Sequence, residues 1–159
     1  MNYTCRDVML PHRPTLHAAM TIAGAFAAIH HLNERFFPVV DDKGDFIGVF
    51  NSMSLVELLL PRSLTANLGR EMNPPELNFM RTSVAELRMR LHEHYEEPIT
   101  DFLMRDGLPL CSPDTGLMEA LYLLYRLRRS HAVVLAKGTR HYLGLVSVNS
   151  VLDSIVKSV

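Results

Sequence analysis

The side chains able to do chemistry in this chain of 159 residues are eight histidines, two cysteines and a scatter of acids and hydroxyls. A metal site needs ligands that converge. His92 and His94 stand two apart on a predicted helix and so face different ways, His30 and His31 are adjacent, and no H-E-x-x-H string or cysteine partner accompanies either pair. No metal site is expected. Cys5 and Cys111 make no C-x-x-C pair, and two thiols in so long a chain do not form a secreted disulfide framework, so a reducing compartment is expected. Asp41 and Asp42 are neighbours in a turn rather than an acid–base pair. With no G-x-S-x-G elbow, P-loop or Rossmann glycine signature, the sequence does not read as an enzyme. What remains are hydrogen-bonding groups at matched places: Asn51 and Ser54 after "FIGVF", and Ser147 and Ser150 after "YLGLV".

Those matched places belong to an internal repeat. An offset of 95 carries Met9 onto Met104, Pro14 onto Pro109, Ala25 onto Ala120 and Val39 onto Val134. After a one-residue difference in a turn the offset is 96, and Gly48 meets Gly144 while Ser54 meets Ser150. Each copy has the same local grammar. Ile22, Ala25, Phe26 and Ile29 recur at helical spacing, as do Leu117, Ala120, Leu121 and Leu124, and each set predicts one core-facing stripe. "FFPVV" and "HAVVL" predict strands, joined through "DDKGD" and "AKGTRH" to "FIGVF" and "YLGLV" as hairpins. A second helix closes each unit, its start marked by S-x-x-E at Ser54 to Glu57 and S-x-x-D at Ser150 to Asp153.

The division expected is a first motif over 1–60, a connector over 61–97 and a second motif over 98–159. Within the connector, "SVAELRMRLHEHY" predicts a helix over about 83–96, with a capping signal at Ser83 and Glu86 and a stripe of Val84, Leu87, Leu91 and Tyr95. "EMNPPELNFM" reads as an extended, packed loop. One such hairpin with two helices buries too little to stand alone, so the copies are expected to pack together.

Charge excludes some partners. Sixteen Lys and Arg nearly balance 17 Asp and Glu, so no global positive field recruits nucleic acid. The N-terminus lacks a basic region followed by an apolar one, and "AAMTIAGAFAAI" is too short to span a bilayer. A cytoplasmic protein with no membrane insertion is expected.

The ordered pieces "CSPDTGLMEAL", "FPVVDDKGDFIGVF", "GVFNSMS" and "GLVSVNS" resemble the tandem cystathionine-β-synthase (CBS) domain family. The resemblance implies an α/β (α+β) fold of two β-α-β-β-α motifs related by a pseudo-twofold axis, with clefts between them. It implies a regulatory module, often dimeric, that binds AMP, ADP, ATP or S-adenosylmethionine and alters the activity of an enzyme or transporter. Nucleotide-binding members end the second strand with G-h-h-[ST]-x-x-D, where the hydroxyl serves phosphate and the acid serves ribose. Here the first copy has Gly48, Asn51 and Ser54, the second Gly144, Ser147 and Ser150, and the acid is missing from both. Ser54 and Ser150 are therefore either helix caps or weaker ribose acceptors. The family also places a basic residue ahead of the first hairpin strand, where a phosphate passes. Arg128, Arg129 and His131 stand there in the second copy and Arg35 in the first, and the arginines equally suit the solvated end of a helix. Phe36 and Phe37 are core residues by default, with stacking on adenine as the other reading. The runner-up function is a nucleotide-independent dimerisation or adaptor module that has lost ribose recognition.

Overall fold

A computed structural model describes residues 3–10, 14–32, 36–60 and 83–157. The "EMNPPELNFM" loop and Arg35 lie outside them. The elements are α1 (Cys5–Val8), β1 (Leu16–His17), α2 (Ile22–Leu32), β2 (Phe36–Val40), β3 (Phe46–Asn51), α3 (Ser52–Leu59) and α4 (Val84–Glu93). A 3-10 turn (Ile99–Phe102) follows, then β4 (Leu110–Cys111), α5 (Leu117–Leu127), β5 (His131–Leu135), β6 (Tyr142–Ser147) and α6 (Val148–Lys157). Two three-stranded sheets are ordered β1-β2-β3 and β4-β5-β6.

The repeat is visible in the register. Leu16 pairs in parallel with Val39, and Cys111 with Val134, the same pairing displaced by 95. The same offset carries α2 onto α5 and β2 onto β5, and 96 carries β3 onto β6. The extra residue sits in the second hairpin turn, where Ala136 N–H donates to His141 O (2.9 Å), against Asp41 N–H to Asp45 O (3.0 Å) in the first. Gly44 (φ 80°) and Gly138 (φ 74°) take the left-handed backbone these turns need.

The chain forms two compact units, one of Met1–Ala18, Phe37–Val49 and Met104–Val159, the other of Ala19–Phe36 and Phe50–Leu103. In the first, hydrogen bonds exchange between copies with twofold logic. Phe46 N–H donates to Arg140 O (2.7 Å) and Tyr142 N–H to Gly44 O (3.0 Å), and an offset of 96 turns one bond into the other. Asp45 and His141, bridged between them, are each other's counterparts, so the pseudo-twofold axis passes there. Each copy's lead-in segment pairs with the other's last strand: Met104 N–H to Val49 O (2.8 Å), Leu10 N–H to Leu145 O (2.7 Å). Beneath this frame Cys5, Val8, Cys111, Ala120, Leu124, Ala132, Val134, Val146 and Val151 form one buried cluster, with Leu117 and Leu121 packed against it. The stripe expected for α5 is therefore its core face.

In the second unit Ile22, Ala25 and Ile29 of α2 are buried, but Phe26 is 36% exposed and stacks beside the ring of His30 (6.5 Å between centroids). The stripe is narrower than expected. The orphan amides opening α2 are taken by the chain after α4: Ile22 N–H by Glu97 O (2.9 Å) and Ala23 N–H by Tyr95 O (3.0 Å). Helix α4 differs from expectation as well. Ser83 Oγ does cap Glu86 N–H (3.2 Å), but no residue of the helix is buried, Val84 is 71% exposed, and it stops at Glu93. His94 ends it, its amide bonding Leu91 O (3.2 Å) and its ring Glu97 (2.8 Å). Arg90 anchors α4 to α3 through Leu59 O (3.2 Å).

Candidate functional site

The second copy's strand-to-helix junction holds three of the expected ligand residues, His131, Ser147 and Ser150. His131 and Ser147 are directly opposed in the antiparallel ladder of β5 and β6, which places their side chains within roughly 5 Å at the strand ends. Helix α6 begins at once. Ser147 Oγ accepts the Ser150 amide (2.9 Å), Ser150 Oγ accepts the Ser147 amide (3.0 Å), and the Ser150 hydroxyl donates to Ser147 O (3.0 Å). The first copy closes the same lock, Ser54 N–H on Asn51 Oδ1 (3.0 Å) and Asn51 N–H on Ser54 Oγ (3.2 Å). Both helices therefore start three residues earlier than the S-x-x-E and S-x-x-D strings imply. Asn51 (φ −135°, ψ −177°) is extended and offers the first oxygen, so it is the N-cap, and Ser54 answers from the first turn. Among the described residues, the buried polar side chains are Ser54 and Ser147, 3% and 8% exposed. Their capping bonds satisfy groups that burial would otherwise penalise.

Two grooves in the first unit open beside this junction. One, of about 510 Å³, runs between the N-terminal segment (Tyr3, Asp7, Val8, Met9, Leu10) and Ser150, Asp153, Ser154 and Lys157. Those four lie at i, i+3, i+4 and i+7, one stripe of α6. Asp7 is fixed by the Thr4 amide, which donates to its Oδ2 (2.8 Å). The other groove, about 690 Å³, lies between the end of α5 and the start of α6, with Tyr125, Arg128, Arg129, Ser130 and Asn149 on its walls. Arg128 ends α5 in the left-handed conformation (φ 54°, ψ 47°), its guanidinium 4.4 Å from the centre of the Tyr125 ring. Arg129 Nε donates to Gly107 O (3.3 Å), and His131 Nδ1 bonds Ser130 Oγ (2.9 Å).

The structure thus brings His131 and Ser147 together, puts Ser150 in one groove and Arg129 in the other, and leaves Asn51 and Ser54 in the second unit. Phe37 is fully buried, so its ring is core and offers no open face to a base. Asp7, Asp153 and Lys157 were missed as groove residues. The i, i+3, i+4, i+7 stripe from Ser150 to Lys157 was the readable signal for the last two.

Residues 5–61 and 99–157 match the family model of the CBS domain. The chain belongs to the CBS-domain family. Solved structures of CBS proteins share this pair's fold. CBSX2, determined in complex with AMP, is 18% identical with a TM-score of 0.69 over 98% of each chain. A CBS domain-containing protein of Kribbella flavida is 16% identical, TM-score 0.70, over 97% of this chain and 99% of its own. Protein MJ1225 of Methanocaldococcus jannaschii is 15% identical, TM-score 0.69, over 97% of this chain and 48% of that longer one. Comparison with curated protein sequences gives no match. No helix among the described residues is long and apolar enough to cross a membrane.

Proposed function

We propose that this tandem CBS pair is a regulatory module that binds an adenine nucleotide or another adenosyl compound and passes its occupancy to a partner enzyme or transporter. The observation that carries the reading is the groove of about 510 Å³ in which Ser150 and Asp153 share one stripe of α6 opposite the N-terminal segment. Its volume suits a small ligand. A ribose diol needs acceptors, and the exposed Asp153 carboxylate, one turn beyond Ser150, supplies the charge that position 150 lacks. Ser147 and His131, paired at the strand ends beside this groove, are the candidate donors to a phosphate, Arg129 lines the neighbouring groove, and Asn51 and Ser54 are the counterparts in the first motif. Two acids, Asp7 and Asp153, face one base, Lys157, in the ribose groove, which favours AMP or S-adenosylmethionine over ADP and ATP. The AMP complex of CBSX2 and the proposal of MJ1225 as an archaeal homologue of g-AMPK support this ligand class. Thermal melts with AMP, ADP, ATP and S-adenosylmethionine test it. A ligand at about a hundred times its Kd adds roughly 2.7 kcal/mol, or about 5–10 °C for a chain of this size. No shift with any of the four at millimolar concentration overturns the reading.

A second reading, dimerisation or docking without nucleotide, rests on the apolar faces left open on α5 (Met118 80%, Tyr122 57% and Tyr125 65% exposed) and α6 (Leu152 47%, Val156 72%). A stable dimer in sedimentation that is indifferent to every nucleotide favours it.

A further inference from the structure

Helix α3 leaves one face open. Met53 (61% exposed), Val56 (42%), Glu57 and the C-cap Leu60 (40%) stand at i, i+3, i+4 and i+7, a single stripe on which Glu57 is the one charge. The helix's other face is buried through Ser54 and Leu58, each 3% exposed. Three large apolar side chains in water on a helix of eight residues mark a contact surface. A surface that matches it lies in the first unit. The groove of about 690 Å³ between the end of α5 and the start of α6 is lined by Leu121, Leu124 and Val148, and it carries two cations, Arg128 and Arg129, and no acid. Arg129 is held by Gly107 O (3.3 Å) and Arg128 lies over the Tyr125 ring (4.4 Å), so both guanidiniums are in place before anything docks. From the groove the open apolar face continues along both helices, through Tyr122 and Met118 on α5 and Leu152 and Val156 on α6. An apolar trough that ends in two arginines is complementary to an apolar helix that carries an acid.

We propose that these two surfaces meet between copies of this chain: α3 of one copy lies in the trough between α5 and α6 of the other, with Glu57 paired to Arg128. Met53, Val56 and Leu60 then cover the apolar lining. Each copy presents both surfaces, so the contact is made twice in a dimer that joins first motif to second. Pairing like with like fails on shape and on charge. Trough on trough leaves the groove unfilled, and α3 on α3 gives Glu57 no cation. The inference rests on the dimerisation reading of the open faces and needs no ligand.

The test is sedimentation equilibrium of the full chain, of Glu57→Arg, of Arg128→Glu and of the two variants mixed in equal amounts. The natural chain should be a dimer. Each reversal alone turns attraction into repulsion at both contacts and should weaken the dimer at least about tenfold. The mixture should recover most of that loss, because it makes one natural contact and one with the charges exchanged. A natural chain that stays monomeric overturns this proposal and the dimerisation reading together. A stable dimer that neither reversal weakens, or a mixture no stronger than the separate variants, overturns the contact alone. Should a reversal fail to fold, hydrogen exchange of the natural chain across a dilution series decides. Protection gained with concentration in α3 as well as in α5 and α6 supports the contact, and protection gained in α5 and α6 without α3 overturns it.

Discussion

Replacing Ser150 by Asp puts into the ribose groove the carboxylate that nucleotide-binding relatives carry at this position. Ser150 Oγ now accepts the Ser147 amide at 3.0 Å, and an Asp carboxylate can accept the same amide, so the lock on α6 is kept. The hydroxyl's own bond to Ser147 O (3.0 Å) is lost, a cost of about 1 kcal/mol that a negative charge at the helix start largely offsets. Stability should hold to within about 1 °C. Binding should change more. Exchanging a neutral acceptor for a charged one adds about 1–1.5 kcal/mol per ribose hydrogen bond, and repulsion from Asp153, one turn away, removes a few tenths. The net is about a fivefold tighter Kd for AMP. Calorimetric titration of the natural chain and the variant in one buffer reads it. Unchanged or weaker AMP affinity in a variant that melts normally would refute the placement of ribose at the first turn of α6.

Asp153→Asn should weaken AMP binding about fivefold without moving the melting temperature, because the carboxylate is exposed; circular dichroism and calorimetry on one preparation check both halves. Ser147→Ala removes the cap of a junction only 8% exposed and should cost about 1–2 kcal/mol, read as a fall of roughly 3–6 °C in Tm. Gly44→Ala forces a side chain onto φ 80° and brings its Cβ to 3.1 Å from His141 Cε1 at the pseudo-twofold axis. Denaturant unfolding should show a loss of about 1–2 kcal/mol. Leu124→Ala hollows the core beneath β5 and should cost about 2–5 kcal/mol by the same assay.

The repeat made the fold legible, because hydrophobic spacing and turn glycines report directly on which face is buried and where the chain reverses. Val39 and Val134 were matched by sequence alone and prove to occupy matching registers. Helix starts were less legible. Ser54 and Ser150 looked like caps since a hydroxyl three residues ahead of an acid has that pattern, yet Asn51 and Ser147 take the position first and turn the serines into their partners. At α4 the apolar stripe was legible but its extent was not: Leu87 and Leu91 are half-buried, whereas Val84 is exposed and the helix stops at Glu93. Of the groove beside α6 only the wall from Ser150 to Lys157 was readable, because Asp7 and Asp153 come together only when α1 packs on α6.

The central claim is that the groove beside α6 takes an adenosyl ligand, and isothermal titration of the purified chain with AMP tests it most directly. The account predicts a saturable heat, and a Kd about fivefold weaker when Asp153 is replaced by Asn. No heat from AMP at millimolar concentration, with none from S-adenosylmethionine in the same cell, would contradict it.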